Sequence, residues 1–229
     1  MNIGNFEIGA GKTFIIAETC SNIIPHLYNL GGVVAAVAST GADAVKIQLF
    51  RADHFPEAER ASKKRTEFPR DLFPQLVKLC HEKGLLCGAS VFDEEAVSVV
   101  VEDGGDFLKL ATREWKNIYL WQRCCATGLP ILQSFDCREI RDLAFPVYQD
   151  TLYLGCVPEY PAYKLSYPIF TGKGWSSHTN HWLDCIIAVS RGAVVIEKHI
   201  GFAKDDYEMG WSLYPNQFEQ MVKDIRWVE

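Results

Sequence analysis

The chain has 229 residues, of which 48% are hydrophobic and 23% are charged, and its formal net charge is −6. This length and composition suit one α/β barrel or two small domains with a large core. The acidic balance and the lack of a basic run argue against nucleic acid or an anionic membrane as the main partner.

The sequence shows no targeting or membrane segment. No apolar run approaches the ~20 residues that a membrane span needs. Residues 1–7 lack the basic stretch ahead of an apolar one that marks a secretory signal. The eight cysteines form no CxxC, and several lie inside apolar segments. We therefore expect a cytoplasmic protein whose reduced thiols act as small hydrophobic side chains.

Short apolar runs typical of strands alternate with amphipathic segments typical of helices. The predicted strands are Thr13–Glu18, Ala44–Gln48, Leu85–Ser90, Phe107–Ala111, Pro130–Ser134, Leu152–Cys156, Gly174–Ser176 and Val194–His199. The predicted helices are Leu30–Ser39, Asp71–Lys83, Glu94–Glu102, Ile118–Thr127, Arg138–Phe145, Trp182–Arg191 and Asn216–Trp227. Glycine follows several of these helices, where a left-handed C-cap is expected.

This alternation of eight strands with helices favours an α/β fold with a parallel sheet, most simply a (β/α)8 TIM barrel. A doubly wound open sheet is the alternative. No G-x-G-x-x-G follows the first strand, so a dinucleotide site has no support. Glycines at turn-like spacing in Asn2–Lys12 predict a short N-terminal hairpin at the barrel bottom. We expect a single barrel domain over residues 1–229.

The last predicted strand ends in an acid, a base and an imidazole. The apolar residues at 193–196 run directly into Glu197, Lys198 and His199. Burying such groups is costly unless they face a polar cavity. Because strand side chains alternate between two faces, Glu197 and His199 point to the barrel mouth and Lys198 points to the opposite face.

The same alternation places polar side chains at the mouth from most of the other strands. They are Glu18, Lys46, Gln48, Ser90, Lys109, Ser134 and Ser176, with His178 just beyond its strand. The C-terminal ends of barrel strands converge on the face where active sites lie. Lysines with serine hydroxyls suit a phosphate or carboxylate. Two imidazoles suit one divalent metal, and the carboxylates of Glu18, Glu114 and Glu197 can move protons or orient water.

Each of these residues also has a plain structural interpretation. Lys46 could extend to water, His178 could cap a loop, and Glu197 could form an ordinary ion pair. His178 and His181, three residues apart, form an alternative metal pair, although His181 would begin the next helix. The recurrence of polar groups at seven strand ends favours a functional rim over independent coincidences.

Five motifs in chain order resemble the sialic acid synthase (N-acetylneuraminate synthase) family. They are F-I-I-A-E at 14–18, G-A-D-A-V-K-I-Q at 41–48, F-L-K-L-A-T at 107–112, S-S-H-T at 176–179 and I-E-K-H at 196–199. S-L-Y-P at 212–215 also resembles the segment before the last helix of that family. The resemblance extends from residue 14 into the last predicted helix.

The resemblance implies a metal-dependent transferase that condenses phosphoenolpyruvate with an N-acylated amino sugar aldehyde similar to N-acetylmannosamine. The products are a nonulosonic, sialic-type acid and phosphate, with cleavage of a C–O bond. The residues implied to bind phosphoenolpyruvate are Lys46, Ser90, Lys109, Thr112, Ser134 and Ser176. His178 and His199 are implied to hold Mn²⁺ or Mg²⁺. Catalytic positions are implied for Glu18, Gln48, Glu114, Tyr160 and Glu208.

The chain departs from the family at several motif positions, which affect the sugar side of the site most and also remove, at Pro158, one phosphate contact that the resemblance implies. Ser177 stands where the family has the aspartate of S-D-H-T, and Gly155 and Pro158 replace polar residues after the sixth strand. Glu208 aligns with an aspartate and is one methylene longer. The family continues into a small antifreeze-like domain, which we expect this chain to lack.

Three functions are therefore open at this point. The first is a minimal synthase of the sialic acid type, with phosphoenolpyruvate and a small sugar aldehyde as partners. The second is a non-catalytic barrel that binds an anion or a sugar. The third is another metal-dependent aldolase or lyase, or a Schiff-base aldolase that uses Lys46 or Lys109. A homodimer is one option for the assembly.

Overall fold

A computed structural model describes residues 1–139, 151–163 and 172–229, in which eight parallel strands close into a barrel in chain order. A two-stranded antiparallel hairpin precedes them. The strands are β1 (Asn2–Ile3), β2 (Phe6–Glu7), β3 (Phe14–Glu18), β4 (Ala44–Leu49), β5 (Leu86–Val91), β6 (Phe107–Leu110), β7 (Ile131–Asp136), β8 (Thr151–Cys156), β9 (Gly174–Ser177) and β10 (Val195–His199). The predicted α/β barrel with an N-terminal hairpin is confirmed.

The helices of the described residues cover the outside of the barrel. They are α1 (Leu30–Ser39), α2 (Glu57–Lys64), α3 (Phe73–Glu82), α4 (Glu94–Glu102), α5 (Ile118–Cys125), α6 (Leu183–Ser190) and α7 (Pro215–Val228). Short 3₁₀ segments lie at Cys20–Asn29, Ala52–His54, Arg70–Leu72, Thr112–Glu114 and Met209–Trp211. No helix in the described ranges combines the length and the apolar composition needed to cross a membrane.

The predicted boundaries of the described elements lie within two residues of those in the structure. The predicted helix Arg138–Phe145 falls largely on residues outside the described ranges. Helix α2 was not predicted, because it buries none of its residues and so has no apolar period. Its acids Glu57 and Glu59 lie in the first turn and its lysines in the last, as the helix dipole favours. The eight cysteines are all thiols, as predicted.

The N-terminal hairpin closes the bottom of the barrel. Ile3 is fully buried in an apolar cluster with Phe14 and Phe107, which begin their strands and point inward. The rings of Phe6 and Phe14 have centroids 4.9 Å apart. The lower half of the barrel interior is therefore filled with apolar side chains, which leaves the polar groups at the upper end.

Strand alternation divides the barrel into two chemical faces. Outward residues such as Val45 and Ile47 pack with the helices in the larger apolar cluster. Inward residues change from apolar to polar toward the strand ends. In the strand register, Glu18 lies beside Lys46, and Ser90 lies beside Lys109. The register thus brings acids, bases and hydroxyls to the same level of the barrel.

Gly88 leaves the space that an inward aromatic ring occupies. A Cβ atom at Gly88 would lie 2.5 Å from the ring of Phe107 on the neighbouring strand. The missing side chain lets Phe107 cross the interior just below the lysines. The boundary between the apolar and polar layers thus depends on this glycine.

We predict that Gly88→Ala destabilises the barrel by about 1–3 kcal/mol, because the added methyl group overpacks the interior. Urea unfolding monitored by circular dichroism measures the change. Gly210→Ala is the matched control, since no atom lies within 4 Å of its added Cβ. It should change stability by less than about 0.5 kcal/mol. Equal unfolding midpoints for the two variants would contradict this packing.

Candidate active site at the barrel mouth

The polar strand ends surround a narrow cavity of ≈ 40 Å³ in the barrel mouth. Its lining combines acids, lysines, hydroxyls and imidazoles from all eight barrel strands or the segments that follow them. The lining residues are Glu18, Lys46, Gln48, Ser90, Lys109, Ala111, Thr112, Ser134, Tyr160, Ser176, His178, Glu197 and His199. The sequence-predicted phosphoenolpyruvate and metal positions therefore all meet here.

A wider cavity of ≈ 680 Å³ adjoins the narrow one. The two share Gln48, Ala111, Thr112, Tyr160 and His199. The wider cavity is also lined by the end of β7, by α2 and by segments that follow the barrel strands. The residues are Lys63, Phe92, Arg113, Asp136, Glu139, Pro158, Glu208 and Trp211. A ligand of more than a few atoms can thus extend outward from the lysines.

Two buried lysines form the floor of the narrow cavity. Lys46 Nζ donates to the Glu18 carboxylate and to Ser90 Oγ, the latter at 2.7 Å. Lys109 Nζ donates to Ser134 Oγ at 2.6 Å. The side chains of both lysines are almost completely buried. Two ammonium groups with serine hydroxyls have the chemistry that suits an anion, which is the role that the sequence predicts for them.

Glu197 lies between the two lysines. Its Oε2 is 3.6 Å from Lys46 Nζ and 3.7 Å from Lys109 Nζ, and its Oε1 accepts a hydrogen bond from Ser176 Oγ at 2.9 Å. Oε2 is buried and makes no hydrogen bond in the described structure. Such an oxygen is costly to leave unsatisfied. Its position indicates that a polar ligand or water completes this floor.

Burial and charge set the protonation of the floor. The pKa of Lys46 is lowered to about 8, mainly by burial and also by the Lys109 ammonium, while Glu197 opposes both effects. Burial alone would raise the pKa of Glu197. Lys109 and Lys46 outweigh this effect and lower that pKa to about 2. Near pH 7, Glu197 is ionised and Lys46 is mainly an ammonium group, so the floor consists of opposed charges.

Two histidines form one edge of the mouth. His178 Nδ1 lies 2.7 Å from the carbonyl oxygen of Val157, which can only accept, so Nδ1 carries the hydrogen and Nε2 keeps its lone pair. Burial and the nearby His199 lower the pKa of His178 to about 3, so its ring is neutral at pH 7. The two ring centroids are 5.5 Å apart.

A carboxylate and a thiol adjoin His199. His199 Nδ1 is 2.8 Å from Glu208 Oε2, and Cys20 Sγ is 2.9 Å from Glu208 Oε1. Neutral imidazole, carboxylate and thiolate all bind divalent transition metals. The donor set at this edge therefore fits the metal ion that the family resemblance implies.

The structure brings Tyr160 to the site and leaves two other sequence candidates outside it. The ring of Tyr160 lies 4.3 Å from that of His178, measured between centroids. Glu114 instead accepts from Asn117 Nδ2 at 2.8 Å and lines neither cavity. His181 is exposed and stacks on Trp182, so it does not share the mouth with His178.

Sequence reasoning missed several residues of this site, among them Cys20, Asp136 and Trp211. Cys20 and Asp136 lie two positions beyond Glu18 and Ser134, so continued alternation could have found both. Trp211 lines the wider cavity from a loop that follows β10. No pattern in the sequence marks it, because loop positions have no fixed period.

Lys198 has the outward position that alternation predicts. It is fully buried, and its Nζ donates to Ser177 Oγ at 3.0 Å and to the carbonyl oxygens of Thr179 and Trp211. Burial lowers its pKa. Ser177, which replaces the aspartate of the S-D-H-T motif, thus gives the Lys198 ammonium group a neutral hydroxyl acceptor. Lys198 fixes the loops that carry His178 and Trp211.

Comparison with known proteins gives a consistent result. The sequence profile of the NeuB family matches residues 33–229. An N,N'-diacetyllegionaminic acid synthase of Legionella pneumophila is 30% identical, over 93% of this chain and 71% of its own length. The Bacillus subtilis spore coat polysaccharide biosynthesis protein SpsE superposes with a TM-score of 0.81 at 26% identity, covering 100% of this chain and 71% of that one.

One further solved structure supports the fold alone. The sialic acid synthetase of Leptospira borgpetersenii superposes with a TM-score of 0.88 at 24% identity, covering 100% of this chain and 88% of that one.

We predict that Glu197→Gln lowers stability by about 3–5 kcal/mol, because it leaves two buried ammonium groups without the carboxylate between them. Chemical denaturation at pH 7 measures the loss. The control is Glu219→Gln on α7, which breaks an exposed ion pair with Lys223 and should cost at most about 1 kcal/mol. Equal losses in both variants would show that Glu197 does not neutralise the floor.

Proposed function

Because this chain belongs to the NeuB family, we propose that it condenses phosphoenolpyruvate with an N-acylated amino sugar aldehyde to form a nonulosonic acid. The match to this family over residues 33–229 confirms the resemblance that the motifs predict. The observation that carries the proposal is the anion-binding floor of Lys46 and Lys109 around Glu197, next to the histidine edge. An acidic phosphate ester and an aldehyde are the reactants that such a floor and edge suit.

Cavity sizes support a defined placement of the ligand. The narrow cavity of ≈ 40 Å³ holds about three waters at ~10–15 Å³ each, and phosphoenolpyruvate is larger. We propose that an anionic group of phosphoenolpyruvate replaces the Glu18 carboxylate as the partner of Lys46. The rest of the substrate and the sugar then extend into the wider cavity past Tyr160 and Gln48.

The proposed reaction forms one C–C bond and breaks one C–O bond. C3 of phosphoenolpyruvate bonds to the aldehyde carbon, whose oxygen takes up a proton. Water adds at C2 and gives one proton to a carboxylate, a role that we assign to Glu18 in this proposal. The C2 intermediate then loses its hydroxyl proton as the C2–O bond to phosphate breaks, leaving a keto acid. Lys46 and Lys109 stabilise the charge on the departing phosphate.

A divalent cation completes the proposed site. When bound, Mn²⁺ or Mg²⁺ polarises the aldehyde oxygen as a Lewis acid. His199 and His178 would hold it through ring nitrogens. Glu208 orients His199 through Nδ1, and the carbonyl of Val157 orients His178 in the same way. Tyr160 packs against His178 with its ring tilted by 39°, which limits the rotation of the imidazole.

We predict phosphate release from phosphoenolpyruvate only when Mn²⁺ and an N-acylated aminohexose aldehyde are both present. A panel of N-acetylated and di-N-acetylated hexoses, with phosphate measured colorimetrically and products by mass spectrometry, tests this. Turnover that His199→Ala abolishes would exclude a non-catalytic binding barrel. Absence of turnover with every aldehyde, while the metal binds, would contradict the synthase proposal.

Lys109→Met should lower kcat/KM by about 10²-fold or more, because the departing phosphate loses a buried charged donor. Methionine keeps the length and apolar stem of the side chain. Lys223→Met on α7 is the matched control, since its ammonium group is exposed and lies outside the site. The control should keep wild-type kinetics, and a similar loss in both variants would argue against a phosphate contact at Lys109.

We predict that affinity for phosphoenolpyruvate falls as pH rises through about 8. Below this pH Lys46 is an ammonium group and attracts the anion. Above it the free protein loses that proton, so binding must first regain it. Isothermal titration between pH 6.5 and 9.5 measures the effect. Lys46→Arg keeps its charge over this range and should flatten the profile.

A Schiff-base aldolase is the second candidate, because a lysine with a pKa of about 8 is partly a free amine at neutral pH. Borohydride trapping with pyruvate or an aldehyde distinguishes the two. The synthase proposal expects no trapped imine at Lys46 or Lys109. A mass increase located on either lysine would favour the aldolase.

A further inference from the structure

We propose that Cys20 is a ligand of the metal at this site and that its thiolate binds one cation together with Glu208 and His199. The site would then have sulfur, oxygen and nitrogen donors rather than imidazoles alone. The inference rests on the proposed function for the role of the metal, but it assigns a different ligand set, in which Glu208 binds the cation directly and Cys20 takes the place of His178. Its test does not require turnover.

The geometry of the cluster carries the proposal. One ligand atom from each of Cys20, His199 and Glu208 lies within 4.8 Å of the other two. Glu208 connects the three, with one carboxylate oxygen 2.9 Å from Cys20 Sγ and the other 2.8 Å from His199 Nδ1. Donor atoms at these separations can close on one cation with small side-chain movements.

The backbone around Cys20 is held so that the thiol faces this cluster. Cys20 has φ +40°, a left-handed conformation that is uncommon for a residue with a Cβ. The Glu18 carboxylate accepts a hydrogen bond from the Cys20 N–H at 2.7 Å. Glu18 thereby ties the thiol to the floor that holds Lys46.

A purely structural role for Cys20 is the alternative. A buried cysteine commonly acts as a small hydrophobic side chain. The hydrogen bonds of Cys20 Sγ are instead to oxygens, with Glu208 Oε1 at 2.9 Å and Ser21 Oγ at 3.8 Å. A thiol directed at a carboxylate beside an imidazole resembles a ligand set more closely than a core contact.

The donor set determines which cations the site prefers. Thiolate is a soft ligand, and affinity for mixed N, O and S sites rises from Mn²⁺ through Fe²⁺ and Co²⁺. Mg²⁺ prefers octahedral oxygen ligands. On coordination the thiol proton passes to solvent and the sulfur binds as thiolate. We therefore expect strong binding of Co²⁺ or Zn²⁺ and weak binding of Mg²⁺.

The proposal changes the metal edge predicted from the sequence. His178 is not part of the group within 4.8 Å, and its ring centroid is 5.5 Å from that of His199. The cation would lie toward the segment after β3. His178 would stay outside the ligand set, with its ring oriented by the carbonyl of Val157.

Cobalt titration of the full chain tests the proposal directly. Metal-free protein is titrated with Co²⁺ under reducing conditions, and the near-ultraviolet sulfur-to-cobalt charge-transfer band is recorded. We expect this band to saturate at one Co²⁺ per chain. The charge-transfer band should be absent in both Cys20→Ser and Cys20→Gly. Because glycine adopts the positive φ of residue 20 without strain, loss of folding would not explain its absence in Cys20→Gly. Cys125→Ser on α5 is the matched control and should retain the band.

Affinity provides a second readout. Calorimetric competition with a chelator should show that Cys20→Gly weakens Zn²⁺ binding by about 10-fold or more. Three outcomes would overturn the proposal. They are cobalt binding without a charge-transfer band in the wild type, a band that persists in Cys20→Gly, and no cobalt binding at all. A thiolate-to-cobalt band without phosphate release supports the proposed metal site and contradicts the proposed synthase activity. Phosphate release without the charge-transfer band supports the synthase proposal and rejects Cys20 as a metal ligand.

Discussion

Neutralisation of two buried ammonium groups is the constraint on which the barrel mouth depends. Lys46 and Lys109 are at most 2% exposed, and charges so deeply buried are tolerated only when paired. Glu197 lies between them, and Glu18 contacts Lys46 from the adjacent strand. The formal charges of these four groups cancel. An incoming anion can therefore exchange with a carboxylate instead of entering an uncompensated positive site.

Barrel closure makes this arrangement available. Strand β10 pairs with β3, which pairs with β4, so carboxylates from both ends of the chain reach the Lys46 ammonium group. The hairpin and the inward aromatic rings fill the lower barrel, and the polar groups are left at the upper end. The same architecture explains why the lysine floor is deeply buried while the wider cavity opens above the strand ends.

The two halves of the site differ in how far they depart from the family motifs. The floor keeps both lysines and their serine partners. The altered positions lie elsewhere. Ser177 accepts a hydrogen bond from the buried Lys198, and Pro158 lines the wider cavity. The conserved positions thus lie at the lysine floor and the altered ones around it, and the thiol beside Glu208 adds a further difference next to His199.

Alternation with a period of two is a local property of the strand backbone, and the sequence by itself determined what depends on it. It determined the order of the strands and helices, the inward positions of Glu197 and His199, and the outward position of Lys198. Helix α2, the turned-away Glu114 and the loop residue Trp211 depend on contacts that have no period in the sequence. The cluster of Cys20 with Glu208 joins residues 188 positions apart. Only the tertiary structure decided that contact, because it requires closure of the barrel and the path of two loops.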